Sequence, residues 1–230
     1  MSVTLSARLE AILSLLSPCA LLADVGTDHG LIPIAAVQRG IAQRAIAADL
    51  RAAPLQVARQ NIADAGVEAS LTVVQGDGLA ALVDLSLDAV VMAGVSGALI
   101  VRVLSAAPAR LRSVSQLVLQ PNQEVELVRA WAFGHGFHLH AECMIEERGF
   151  FFPVCAFRAG TGDDAAYAQS GVERELAYQV GPLLLARKDA VARRWCQEQC
   201  GRIEKLVQQR GVRALEPELV RLRALLARFA

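Results

Sequence analysis

No Cys-x-x-Cys pair occurs in this chain of 230 residues, and its five cysteines are odd in number and irregular in spacing. That argues against a disulfide framework and against a zinc site, which needs paired ligands at close, regular intervals. Cys196 and Cys200 stand one helical turn apart but face no second pair, so all five thiols are expected to be reduced. No apolar run reaches the roughly 20 residues that a bilayer requires. The stretch from Ala11 to Val25 comes nearest. It is broken by Pro18, carries Asp24 and follows Arg8 and Glu10, so it reads as a helix end, a turn at Ser17-Pro18 and a first strand rather than a signal core. A cytoplasmic protein without membrane contact is expected. There is no charge excess either, with 23 basic and 23 acidic side chains, and no repeat or low-complexity segment.

Apolar material is plentiful. Hydrophobic residues make up 54% of the chain, enough for one α/β domain and a small second unit. The charge is uneven. Residues 1–160 hold 11 basic and 14 acidic side chains, whereas residues 161–230 hold 12 and 9. A modestly basic tail suits either an anionic partner or an Arg-rich solvated helix surface.

Between Leu21 and about Ala159, short β-rich apolar runs alternate with helical segments, the pattern of a mostly parallel sheet covered on both faces. Strands are expected at Leu21–Val25, Ala45–Ala48, Leu71–Gln75, Ala89–Ala93 and Leu117–Gln120. Helices are expected at Leu31–Arg39, Ala53–Ala65, Gly97–Ala106 and Gln123–Phe133. Phe137–Glu146 and Phe150–Phe157 leave no room for a crossover helix, so they form a hairpin around Glu147-Arg148-Gly149. Five parallel strands closed by an antiparallel hairpin define a Rossmann-like class I methyltransferase sheet rather than an ordinary dinucleotide-binding one. Thr161–Asp164 reads as a linker. Beyond it Leu176, Val180, Leu183, Leu184, Val191, Trp195, Ile203, Leu206 and Val207 keep a helical period, and Leu219, Leu222, Leu226 and Phe229 share one face. Residues 1–160 are thus expected to be the cofactor-binding domain. Residues 161–230 should form a C-terminal helical, coiled-coil-like domain of two or three helices.

The chemistry gathers at strand ends. The first strand runs into Asp24-Val25-Gly26-Thr27-Asp28-His29-Gly30, a glycine turn that lets backbone approach a ligand. Asp49, 23 residues after Gly26, ends the second strand and can accept ribose hydroxyls, with Leu50 beside it. Asp77 and Gly78 follow the third strand, where a carboxylate can accept the amine of adenine. Each acid alone is equally an N-cap or turn residue. Three at successive strand ends fit a cationic sulfonium cofactor without phosphates, S-adenosylmethionine, better than a pyrophosphate, which would call for a glycine-rich first turn. Gly94 lies in the small-residue segment after strand four, Met92-Ala93-Gly94-Val95-Ser96-Gly97. Strand five ends in Gln120-Pro121-Asn122, and the Asn122 amide can donate and accept toward a base edge. His135, His138 and His140 lack a carboxylate or thiolate at matching spacing, so no metal is expected.

Several of these segments resemble the bacterial tRNA (adenine-22-N1)-methyltransferases, the TrmK family. They are Ala23 to Pro33, Gln75-Gly76-Asp77-Gly78-Leu79, Met92-Ala93-Gly94, Gly97-Ala98-Leu99-Ile100, Leu119-Gln120-Pro121-Asn122 and, near the C-terminus, Gly181-Pro182-Leu183. The resemblance runs in order over nearly the whole chain. Two positions depart from it. Val95-Ser96 stands where that family tends to have Met-Gly, and Asp49 stands where Glu is more common.

The resemblance implies transfer of the sulfonium methyl group to N1 of an adenine in tRNA. Asp24, Gly26, Thr27, Asp28, Asp49, Leu50, Asp77, Gly78 and Gly94 would hold the cofactor. Asp28, His29 and Asn122 would act at the methyl group, and the C-terminal helices would contact tRNA. A monomer is the expected state. The alternatives are a methyltransferase for another substrate, a nicotinamide oxidoreductase, which the absent Gly-x-Gly-x-x-Gly disfavours, and a binding module that has lost catalysis.

Overall fold

A computed structural model describes residues 3–83, 85–160 and 164–229. Most of the linker expected at Thr161–Asp164 therefore lies outside the described residues. The chain opens with α1 (Ala7–Ser14), whose first turn is capped by the Ser6 hydroxyl accepting from Leu9 N. The α/β alternation follows: β1 (Cys19–Val25), α2 (Leu31–Gln38), β2 (Ala42–Asp49), α3 (Ala52–Ala65), β3 (Leu71–Gln75), β4 (Ala89–Ser96), α4 (Gly97–Ala106), β5 (Gln116–Gln123), α5 (Val125–Gly134), β6 (Phe137–Glu147) and β7 (Phe150–Ala159).

The seven strands form one sheet in the order β3-β2-β1-β4-β5-β7-β6. The first five are parallel. β7 runs antiparallel between β5 and β6, the arrangement expected of the terminal hairpin. Its turn, Arg148-Gly149, has φ of 53° and 78°, as a tight two-residue turn between right-twisted strands demands. Both sheet faces are covered. Side chains alternate along β1, so Leu22 joins one core with Ile12, Leu13, Ile34 and Val91, while Leu21, Ala23 and Val25 join the other with Ile100, Leu104 and Val128.

β4 and β5 run well past the carboxyl ends that the sequence suggests, and the site depends on it. β4 continues past Ala93 to Ser96, and β5 continues past Gln120 to Gln123. The two stay paired through a register shift at Ala93/Val95, with Val95 opposite Pro121. Pro121 thus sits inside a strand, at an irregularity where its missing N–H is tolerated, and not in a turn. The next helix accordingly begins at Val125, not Gln123. Gly97 packs against this segment so closely that a Cβ there would fall on the Glu124 carbonyl oxygen. Ser96 has a structural role too: it caps α4, its hydroxyl accepting from Leu99 N at 3.2 Å.

Among its described residues the C-terminal region holds five α-helices instead of two or three: α6 (Ala165–Gln169), α7 (Arg174–Val180), α8 (Pro182–Ala186), α9 (Ala190–Arg210) and α10 (Glu216–Ala227). The apolar period hides a break at Gly181, whose φ of 121° ends α7 before Pro182 restarts the chain as α8. Ala177, Val180, Leu184, Cys196, Leu225 and Phe229 complete the core on the α4–α5 side of the sheet. Farther out, α9 and α10 pair around a separate small core of Cys200, Ile203, Leu219 and Leu222, with Arg223 bonded to Glu204 across the two helices at 2.7 Å.

Candidate active site

A cavity of about 780 Å³ opens at the carboxyl ends of β1, β4 and β5. It brings together Asp24, Gly26, Thr27, Asp28, His29, Gly94 and Asn122, seven of the residues singled out from sequence. Asp49, Leu50, Asp77 and Gly78 lie outside its wall, at the ends of β2 and β3 farther along the same sheet edge. They would extend the cleft as an open shelf. On it Asp77 is exposed and Leu50 shows 61% of its surface to water, an apolar face beside the Asp49 carboxylate.

Asp24 is the electrostatic feature of the cleft. Its carboxyl group is buried with no ion-pair partner among the described residues, and burial pushes its pKa up to about 7; a poorly aligned hydrogen bond from nearby Thr27 pulls the other way and the Asp49 carboxylate adds to the rise. The Thr27 hydroxyl is itself buried and forms no well-aligned hydrogen bond. A buried acid without a countercharge among the described residues, beside a hydroxyl with no well-aligned partner, can receive a polar, cationic ligand. Asp49 is partly committed. Its Oδ1 accepts from Arg51 N at 2.8 Å, and Arg51 Nε lies 3.4 Å away, leaving Oδ2 for a ligand.

At the mouth, His29 Nε2 lies 3.2 Å from Asp28 Oδ2, both side chains being largely exposed, while the His29 carbonyl is held by Asn61 Nδ2 at 2.8 Å. Asn122 crosses to the β4 end, where its Nδ2 donates to the Gly94 carbonyl at 2.7 Å.

Part of the wall comes from residues that sequence reasoning did not single out. Arg8 enters from α1, Glu147 and Arg148 come from the hairpin turn, and Phe150 and Phe152 come from β7. Phe150 is 67% exposed, and the Arg8 guanidinium lies 5.3 Å from the Phe152 ring centre. These contacts join residues more than a hundred positions apart, which no local pattern announces. The one available signal was the aromatic run Phe150-Phe151-Phe152 directly after the hairpin turn.

No group of three metal-binding side chains comes together among the described residues, and no helix there is long and apolar enough to cross a membrane. The five cysteines are free. Burial raises Cys19 and Cys143 to about 11 and Cys155 and Cys196 to about 12, so these four are thiols at neutral pH.

A parallel sheet with an antiparallel strand inserted near its edge, and a cleft at its carboxyl edge floored by a buried acid at the end of β1, are the architecture of a methyltransferase. The methyltransferase domain family matches residues 5–155. The tRNA (adenine(22)-N(1))-methyltransferase of Bacillus subtilis (strain 168) is 34% identical over 195 residues, 84% of this chain and 81% of that protein. The crystal structure of the B. subtilis tRNA methyltransferase TrmK superposes with a TM-score of 0.87 at 29% identity, covering 97% of this chain and 99% of that one. The Streptococcus pneumoniae protein Sp1610, solved in complex with S-adenosyl-L-methionine, gives a TM-score of 0.86 at 30% identity, covering 97% and 100%. The chain belongs to the TrmK family of tRNA (adenine(22)-N(1))-methyltransferases.

Proposed function

We propose that this protein transfers the methyl group of S-adenosylmethionine to N1 of adenosine 22 in tRNA. The observation that carries the reading is the buried Asp24 carboxyl, which has no ion-pair partner among the described residues, in a cleft at the carboxyl edge of a sheet that belongs to a methyltransferase domain. When bound, the cofactor supplies an electrophilic methyl group on a sulfonium. Asp24 and Thr27 face its charged portion, Asp49 takes the ribose hydroxyls through its free oxygen, and Leu50, Asp77 and Gly78 accommodate the adenine. Gly26, Asp28 and Gly94 line the space between.

Neutral adenine N1 already carries a lone pair, so the protein need not remove a proton before attack. Its work is alignment and exclusion of water. The ring becomes cationic as the new bond forms. The exposed Asp28 carboxylate, braced by His29, stands where it stabilises that charge, and Asn122 holds the amino edge. N1 lies on the Watson–Crick edge, so the base must be unpaired or extruded before it enters. The basic α9–α10 unit at residues 190–227 serves as the tRNA-docking element, acting through phosphate contacts. Tests begin with incubation of the protein with labelled S-adenosylmethionine and total tRNA, followed by nucleoside analysis. Label in 1-methyladenosine supports the reading; label confined to another nucleoside overturns it.

A further inference from the structure

We propose that Arg8 is a positioning residue that decides which way round the Asn122 amide faces, and so which hydrogen-bonding face the site shows the target base. The proposal rests on the methyl-transfer reading above. Its starting point is Gln120, fully buried at the end of β5. Gln120 Oε1 accepts from Arg8 Nη1 at 2.7 Å and from Gly94 N at 3.1 Å. A guanidinium and a backbone N–H can only donate, so chemistry requires oxygen on that side of the amide. Gln120 Nε2 is then turned toward the Pro121 carbonyl, at 3.0 Å, and Asn122 Oδ1, at 3.2 Å. Asn122 is oriented in its turn: its oxygen receives from Gln120, and its Nδ2 donates to the Gly94 carbonyl at 2.7 Å.

Among the described residues the relay leaves exposed Asn122 with one free lone pair on Oδ1 and one free hydrogen on Nδ2. The adenine edge presents an amino donor beside N1, and N1 must stay free to attack. An amino hydrogen therefore goes to Oδ1. If Gln120 flipped, its NH₂ would face two donors and its oxygen would face the Asn122 oxygen, favouring the reversed asparagine, which offers NH₂ where the base needs an acceptor. Gly94 N alone supplies one donor against that flip, and Arg8 supplies the second, charge-assisted one. Arg8 is well placed to do so. Its backbone N donates to Glu147 Oε2 at 3.3 Å and its guanidinium lies against Phe152, so the hairpin holds it from the other side.

Single-turnover methylation of tRNA, at saturating cofactor and tRNA, tests this with Arg8→Met, Arg8→Lys and Gln120→Glu. Arg8→Met keeps an apolar stem against Phe152 but has no donor. It is expected to slow transfer by about 5- to 100-fold with cofactor and tRNA dissociation constants changed less than about 3-fold. Arg8→Lys, which still donates, should recover much of that loss. Gln120→Glu still accepts from Arg8 and Gly94 but cannot donate to Asn122, so it should be slow without disturbing Arg8. The deciding readout is the rate ratio between tRNA carrying adenosine and tRNA carrying purine riboside, which lacks the amino group, at the target position. That ratio should shrink in Arg8→Met and Gln120→Glu, which a merely structural role would not cause. An unchanged ratio in the active variants, or a rate loss that tracks lost cofactor affinity, overturns the proposal. Should Arg8→Met fail to fold, Gln120→Glu decides by the same ratio. A wild-type protein that binds cofactor and methylates no tRNA would bring down the functional reading itself; an active wild type with unchanged ratios brings down the Arg8 proposal alone.

Discussion

Arg129 Nη2 lies 2.8 Å from Glu142 Oε2, and both side chains are fully buried. The pair ties α5 and β6 to the C-terminal helices. Arg129 also donates to the carbonyls of Tyr178, at 2.7 Å, and Val180, at 3.1 Å. The other oxygen of Glu142 accepts from Leu183 N at 2.8 Å and Leu184 N at 3.3 Å. These bonds hold the break between α7 and α8 in place. They also explain the glycine there, because a Cβ on Gly181 would come within 2.5–2.7 Å of the Glu142 carboxyl atoms.

Breaking such a pair strands a buried charge, which typically costs about 3–5 kcal/mol. Arg129→Met is therefore expected to lose about that much in urea unfolding, and Gly181→Ala a substantial part of it. A chain cut near Gly160 would leave Arg129 without two carbonyls and strip the core around Val128 of Ala177, Val180 and Leu184. It should fail to hold the sheet. Arg129→Met within 1 kcal/mol (about one unit of ordinary mutational effect) of wild type would contradict this account of the tether.

Asp24 gives cofactor binding a pH dependence. The folded pKa of about 7 stands above the ordinary value of 3.8. The free protein therefore binds this proton more tightly than the unfolded chain does. Stability from this group is complete below about pH 4 and is lost as pH rises through 7, an upper limit on the order of 4 kcal/mol. Asp24→Asn should melt higher than wild type at pH 8, with the gap closing toward pH 4. A cationic ligand favours the ionised carboxylate, so cofactor affinity in the wild type should rise with pH up to about 7 and then level off. In Asp24→Asn affinity should be weak and flat. Calorimetry across pH 5.5–8.5 reads both, and a pH-independent wild type would sink the assignment.

The mouth of the cleft should answer to kinetics. His29→Ala and Asn122→Ala are expected to lower kcat by about 10- to 1000-fold while cofactor dissociation constants change little. Asp28→Ala should affect both, because the residue borders the cofactor turn. Cofactor titrations run beside single-turnover assays separate the two effects. Rate losses matched by equal losses of cofactor affinity would make these residues supports or ligands instead.

The parts legible in the sequence were those written locally. Short β-rich apolar runs and glycine turns marked the five parallel strands, and the eleven residues from Asp24 through Ile34 already contained most of one cleft wall. The hairpin followed from the lack of space between two apolar runs. What stayed hidden was long-range. Arg8 reaches Gln120 across 112 positions, and its backbone reaches Glu147 across 139. The fifth strand was expected to stop at Gln120 because proline usually ends a strand, while pairing across the β4 irregularity carries β5 through Pro121 to Gln123. The helical period beyond residue 164 was real, but Gly181-Pro182 cuts it where Glu142, far away in β6, demands a glycine.

Docking of tRNA is expected to depend on the exposed cations of α9. Arg193, Arg202 and Lys205 are solvent-facing on a helix that extends beyond the sheet core. Replacing Arg202 and Lys205 together with Glu should weaken tRNA binding across sequences and reduce the salt slope by about 2, with cofactor affinity untouched. A tRNA affinity unchanged at 50 and 200 mM salt would place docking elsewhere.

The central claim is the identity of the methylated atom. One unmodified tRNA transcript with adenosine at position 22, and the same transcript with guanosine there, can be incubated with labelled S-adenosylmethionine and digested to nucleosides. The account predicts 1-methyladenosine approaching one per tRNA for the first transcript and no label above background for the second. Equal labelling of both transcripts would contradict it, as would cofactor binding with no transfer to either.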